Sequence, residues 1–335
     1  MSKSKNILIT SGRSFIALDL ARKFHAAGHK VITADTMSVH VSRFSRSVFK
    51  NFQIPSPRLS PNDFIKKMVW ICQEEKIDLV VPVYEEILYL AEQKHLFPAH
   101  TEVFGPSFSL LKELHSKWHF TLKLRELGIE IPHTYLIETP DDLKKLDRSV
   151  PYAVKAIYSR ASLGIFKLNP EEAIPSITIE RHNPMIAQQW LSGERFCSYS
   201  VCREGVVKAH SLYPVGHTAN GQGCIVFKAI EHPAIQKWIE TFVKKVNFTG
   251  QIAFDFIVTP DQKVFAIECN PRATSGAHLF DEKDNLERAF SKQECTPIYP
   301  IGRRPKKLGI AMMMYGWRET SRPDNSFGSF LQCLL

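Results

Sequence analysis

Glu268-Cys269-Asn270-Pro271-Arg272, closing the apolar run Val264 to Ile267, puts a carboxylate, an amide and a guanidinium at one strand terminus. Alternate side chains of a strand share a face, so Glu268 and Asn270 point the same way and offer hard oxygen donors of the kind Mg²⁺ takes. Upstream, Gly250 to Val258 reads as a second strand, and Thr259-Pro260-Asp261-Gln262-Lys263 as a hairpin turn rich in Pro and Asp. Pairing the two strands brings Asp255 beside Glu268. Three oxygen donors on adjacent strands, with Arg272 just beyond, suit two Mg²⁺ ions bridging nucleotide phosphates while the guanidinium neutralises a transferred phosphoryl group. By itself the stretch also reads as an acidic strand end closed by an Asn-Pro turn.

Lys155 lies in the middle of the apolar run Pro151 to Ile157. An ammonium inside a strand loses solvation that only an anion or strong acceptors replace, and the phosphates of ATP would serve; the alternative is an edge strand whose lysine snorkels to water. Tyr158 to Gly164 follows as a polar turn able to fold over phosphates, with Ser159, Arg160 and Ser162 as contacts, or as an ordinary loop. Further on come Gln188-Gln189-Trp190-Leu191 and Ser192-Gly193-Glu194. Lys117 stands near the start of a helix that Gly128 should end, a position more often occupied by a solvated lysine. Lys228 sits on a probable strand, Cys224 to Ala229, leading back toward the same corner. His210 and His217 flank that region without metal-type spacing.

In this order the motifs resemble the ATP-grasp superfamily, in particular its carbamoyl-phosphate-synthase-like branch, through residues 107 to 280 and more loosely before them. The resemblance implies two α+β subdomains with ATP between them. Lys117, Lys155 and Arg160 would hold phosphates, Gln188, Gln189, Trp190 and Leu191 would form the adenine hinge, and Glu194 would hold the ribose hydroxyls. Asp255, Glu268 and Asn270 would bind Mg²⁺, two ions in all, with Mn²⁺ an acceptable substitute. Arg272, with Lys228 near the γ-phosphate, would serve phosphoryl transfer to a small carboxylate, whose acyl phosphate an amine then captures. Two departures stand out. The phosphate loop carries Gly164 alone where the family uses several glycines, and Gln188 replaces the usual glutamate, so its amide oxygen would have to accept from the adenine amino group.

The first hundred residues alternate strands and helices. Asn6 to Thr10, Val31 to Asp35 and Ile77 to Val83 read as strands; Phe15 to Gly28, Pro61 to Glu75 and Glu85 to Ala91 read as helices. Continuous apolar strands in such an order indicate a parallel, doubly covered sheet. Asp35, after a turn holding Gly12, invites a dinucleotide site, but the three-glycine fingerprint is missing. Arg13, Glu85 and Glu86 occupy strand-to-helix turns, where such sheets collect ligands and where helix-start charges are also ordinary.

The expected architecture is therefore mixed α/β and α+β: a Rossmann-like N-terminal domain (1–106), an ATP-grasp domain (107–296, divided near 184/185) and a C-terminal segment (297–335) with a strand at Leu308 to Gly316 and an abrupt apolar end. At 335 residues and 44% hydrophobic content the chain can bury substantial cores. It holds no apolar run near the length of a membrane span and no secretory signal, which points to a cytoplasmic enzyme. Its seven cysteines lack Cys-x-x-Cys spacing and read as reduced core residues. The net charge of +9 suits ATP or nucleic acid, but the basic residues are spread, except at Arg303 to Lys307, and no nucleic-acid motif accompanies them. A homodimer is compatible with these features. Two competing classes remain open: a regulatory protein on a decayed ATP-grasp scaffold, and a nicotinamide-dependent enzyme using the N-terminal βαβ unit.

Overall fold

The computed structural model describes residues 4–159, 164–216, 224, 226–302 and 305–307. Strands β1 (Asn6–Thr10), β2 (Lys30–Asp35), β3 (Lys50–Gln53), β4 (Leu79–Val81) and β5 (Glu102–Val103) form a parallel sheet in the order β3-β2-β1-β4-β5. Alternation along β1 divides its side chains between two cores. Ile7 and Ile9 join Ala17, Leu20 and Phe24 of helix α1 (Phe15–Ala26), whereas Leu8 joins Phe64, Met68 and Ile71 of helix α2 (Pro61–Glu74). Both faces are thus covered, as the apolar strands predict. A third helix, α3 (Glu86–Glu92), follows β4.

Helices α4 (Phe108–His115) and α5 (Lys117–Glu126) are separated by Ser116, whose hydroxyl caps α5 by accepting from the His119 amide at 3.3 Å. Gly128, at φ +66°, takes the left-handed turn past the end of α5. An antiparallel sheet follows, from β6 (Thr134–Ile137), β7 (Tyr152–Ala156), β8 (Phe166–Leu168) and β9 (Met185–Gln189), in the order β6-β9-β7-β8. Because β9 pairs with β6 and β7, this sheet continues through Gln189 rather than closing at 184.

The second antiparallel sheet has the order β11-β10-β13-β14, from β10 (Glu194–Arg203), β11 (Val206–Pro214), β13 (Gly250–Val258) and β14 (Val264–Asn270). Its one face packs on the apolar stripe Ile235, Ile239, Phe242 and Val243 of helix α6 (Pro233–Lys245), with Phe254 and Phe256 from β13. Tyr199, Val201 and Ala209 on the other face join the core that contains β1 and α1. Polar contacts tie the same halves together: Gln251 Nε2 donates to the Pro82 carbonyl at 2.8 Å, and Arg203 pairs with Glu102 at 2.8 Å.

Close packing fixes the entry to β10. A Cβ added at Gly193 would lie 2.2 Å from the Val258 carbonyl oxygen, a backbone atom that cannot step aside cheaply. Gly193→Ala is therefore expected to destabilise the fold by about 3 kcal/mol, seen as a lower denaturation midpoint in urea.

Among the described residues, the strand expected from Cys224 to Ala229 is seen as β12 (Val226–Phe227), which pairs with β15 (Lys306–Lys307) and not with the strands carrying Asp255 and Glu268. Phe227 explains this placement, since it is buried against Tyr213 and Leu279 and holds β12 there. The strand expected at Leu308 to Gly316 and the apolar end after Phe327 lie outside the described residues. The six cysteines among the described residues are free thiols.

Candidate active site

The β13-β14 hairpin places Asp255 directly opposite Glu268 and Ala253 opposite Asn270. The register shifts between Asp255 and Phe256, a bulge that locally re-aims the strand beside the two carboxylates. Across β10, Cys197 also stands opposite Asp255. Burial, followed by the neighbouring Glu268 charge, pushes the Asp255 carboxyl up to about 6.

Two buried lysines converge on this corner. Lys117, at the first turn of α5, lies 3.4 Å from Glu268 Oε1 and donates to the Ser159 carbonyl at 3.2 Å. Its own amide donates to the Ile157 carbonyl, tying the helix start to the end of β7. Lys155 is 4% exposed; its Nζ donates to Gln188 Oε1 at 3.1 Å and to the Ile267 carbonyl at 3.2 Å. Burial holds its ammonium down to about 8, against the raising influence of Glu268. It is a buried cation given acceptors, not a snorkelling edge lysine.

Arg272 closes the corner from beyond β14. It donates to Asn270 Oδ1 at 3.2 Å and pairs through Nε with Glu85 Oε1 at 2.8 Å. Glu85 comes from the turn after β4, so the Rossmann-like sheet delivers a carboxylate to the same place. Its neighbour Glu86 is committed locally, accepting from Thr10 Oγ1, Ser11 Oγ and the amides of Val83 and Tyr84. His115, which the sequence did not single out, is also near; burial and the charges of Arg272 and Lys117 lower its pKa and favour neutral imidazole. No motif spacing marks it, because it reads as the last turn of an ordinary amphipathic helix.

The segment Gln188 to Leu191 begins at the end of β9, an inner strand of the first antiparallel sheet. Gln188 is buried, with its side chain turned toward Lys155 and Thr134, not left free for a base. The Gln189 and Trp190 amides donate to the His133 and Pro151 carbonyls. Trp190 is exposed with Lys167 Nζ 5.1 Å from its ring centroid, Leu191 is half-buried, and Glu194 stands exposed at the start of β10. Arg160 and His217 lie outside the described residues. Lys228 is exposed beside β12, and no described contact brings it to Glu268. His210 is a core residue bonded to Ser200 Oγ at 3.0 Å, its imidazole pushed down to about 4 by burial.

The donor set fits Mg²⁺ by its chemistry: two adjacent carboxylates and an amide oxygen, all hard ligands, with the carboxylates close enough to perturb each other. Among the described residues no group of three or more His, Cys, Asp or Glu side chains is arranged to hold a metal ion, so any site here depends on Asn270 or on phosphate oxygens.

The alternative nucleotide site at the N-terminus is blocked. Asp35 is buried and accepts from the Arg13 and Met37 amides at 2.8 Å each, closing the turn instead of facing a ribose. The His40 ring lies over Gly12, where a Cβ would come within 2.7 Å of it, so the approach a pyrophosphate needs is filled.

A Rossmann-like parallel sheet is thus followed by two antiparallel sheets, the first carrying the buried Lys155 and the second the hairpin with Asp255 and Glu268. Residues 114–276 match the family model of the ATP-grasp domain. A search of curated protein sequences returns no match. Among solved structures, N5-carboxyaminoimidazole synthetase from Staphylococcus aureus is similar over 97% of this chain and 88% of its own, at 13% identity and a TM-score of 0.71. L-amino acid ligase from Bacillus licheniformis covers 88% of this chain and 76% of its own, at 18% identity and a TM-score of 0.66. Biotin carboxylase from Campylobacter jejuni covers 88% and 72%, at 14% identity and a TM-score of 0.65. At these identities the likenesses show the fold. Among the described residues no helix is long and apolar enough to cross a membrane.

Proposed function

We propose that the chain is an ATP-dependent, ADP-forming ligase that activates a small carboxylate as an acyl phosphate and passes it to an amine. One observation carries this: Lys117, Lys155 and Arg272 reach the corner formed by Asp255, Glu268 and Asn270 from three separate parts of the chain. Lys117 has one carboxylate partner, Glu268, and Lys155 donates only to uncharged oxygens, so a polyphosphate would supply anionic oxygens that the cluster itself gives sparingly.

A carboxylate oxygen of the substrate attacks the γ-phosphorus, the bond to the β-phosphate bridge breaks, and ADP leaves. The amine nitrogen then attacks the acyl carbon, inorganic phosphate departs with the original carboxylate oxygen, and the nitrogen loses a proton. Lys155 and Lys117 hold phosphate oxygens, while Arg272 offers its guanidinium to the transferring group. Asp255, Glu268 and Asn270 would hold Mg²⁺, which when bound neutralises charge on the phosphate oxygens. With the Gln189 and Trp190 amides already engaged, adenine recognition falls to the carbonyls and to Leu191, and Glu194 receives the ribose. Similar structures hold ADP, one of them with magnesium, which supports this use of the cleft. Pools of carboxylates and amines should stimulate ADP release with amide formation; ADP release indifferent to every pool would refute a ligase.

The Asp255 carboxyl also sets a pH limit. Its pKa in the fold is raised to about 6, so the ionised form that Mg²⁺ needs dominates above that value and is lost below it. Apparent Mg²⁺ affinity, measured by titration in the presence of ADP, should hold between about pH 7 and 8 and fall roughly tenfold per unit below about 6.

A further inference from the structure

We propose that Gln188 is a positioning residue for Lys155, fixing the ammonium toward the phosphate end of the nucleotide, and that it does not read the base. The inference rests on the reading that the cleft binds ATP.

The observation is a buried chain of hydrogen bonds across the three strands β7, β9 and β6. Gln188 stands opposite Ala153 on β7 and Thr134 on β6. Lys155 Nζ donates to Gln188 Oε1 at 3.1 Å, Gln188 Nε2 donates to Thr134 Oγ1 at 3.3 Å, and Thr134 Oγ1 donates to the Pro132 carbonyl at 2.8 Å. Chemistry at the two ends fixes every direction between them. An ammonium only donates, so the amide presents its oxygen to Lys155. A carbonyl only accepts, so the Thr134 hydroxyl spends its proton on Pro132 and must accept from the Gln188 NH₂ group. A flipped amide would set nitrogen against ammonium, so the orientation is determined.

The consequence falls on Lys155. Its ammonium has three N–H donors, and two are taken by uncharged oxygens, those of Gln188 and Ile267. Neither acceptor neutralises the cation. The third donor therefore remains for an anionic ligand, with the direction set by the two fixed bonds, while Glu268 and Asp255 act on the charge only from beyond hydrogen-bond reach. The same bonds turn the amide away from a base-reading role.

The test compares ATP with inosine triphosphate, whose base carries an oxo group where adenine carries its amino group. Binding of both nucleotides by calorimetry, for the unsubstituted chain and for Gln188→Leu, should show each weakened by the same factor, about tenfold, the size of one lost hydrogen bond to a charged group. Gln188→Glu, which keeps an acceptor oxygen, should restore both to within about threefold of the starting affinity. Lys155→Met combined with Gln188→Leu should bind no more weakly than Lys155→Met alone, because Gln188 acts only through that lysine. Thr134→Val, which keeps the shape but removes the anchor of the amide, should weaken both nucleotides equally, and it carries the test if Gln188→Leu does not fold. Loss of ATP affinity with inosine triphosphate unaffected would make Gln188 a base reader and overturn the proposal, as would a Gln188→Leu variant that binds both normally. If the unsubstituted chain binds neither nucleotide, the ATP reading itself fails and this inference falls with it.

Discussion

Glu268→Ala is expected to lower pool-stimulated ADP release by about 10³-fold, because in the proposed function it is a metal carboxylate at the position where phosphate charge must be neutralised. The fold should survive. Glu268 is only partly buried, and its described ion pair is the one with Lys117, which keeps a second acceptor in the Ser159 carbonyl. A thermal melt within a few degrees of the starting value, together with lost turnover, is the expected pattern. Turnover retained in this variant would place the chemistry elsewhere.

Arg272→Ala should reduce kcat by about 10²-fold or more while leaving ATP affinity nearly unchanged, since in the proposed function Lys117 and Lys155, not the guanidinium, grip the nucleotide. Lysine should not rescue it. Arg272 reaches Asn270 and Glu85 at once, through separate nitrogens, and a single ammonium cannot span both. A lysine variant with full activity would show that the position needs only a positive charge.

Much of this site is legible in sequence because its groups lie on short local patterns. The hairpin from Gly250 to Asn270 announces itself through two apolar runs and a Pro-Asp turn, and alternation along it then dictates that Asp255 and Glu268 meet. Lys155 is conspicuous because a cation in an apolar strand demands an explanation. Other features were hidden for physical reasons. Strands β3 and β5 are short and partly polar, Lys50 to Gln53 and Glu102 to Val103, so no periodicity can develop. Glu85 meets Arg272 only because the two sheets share a core, which local pattern cannot report. Gln188 was expected to turn its amide to a base, but that amide faces Lys155 and Thr134, because which neighbour an amide faces is set by cross-strand partners. Lys228 was expected on a strand leading to the corner, but the short strand beside it pairs elsewhere because Phe227 is buried against Tyr213 and Leu279. Asp35 has the spacing of a ribose ligand, but the amides of its own turn consume the carboxylate.

The central claim is that a carboxylate is activated by phosphoryl transfer. The most direct measurement supplies the stimulating carboxylate with ¹⁸O in both oxygens and follows the label by mass spectrometry during turnover with ATP and amine. Attack on the γ-phosphorus followed by amine capture predicts inorganic phosphate carrying one ¹⁸O for each amide formed, with the other retained in the amide. Phosphate whose new oxygen comes only from water would mean that ATP is hydrolysed without acyl phosphate formation, and the account would be wrong.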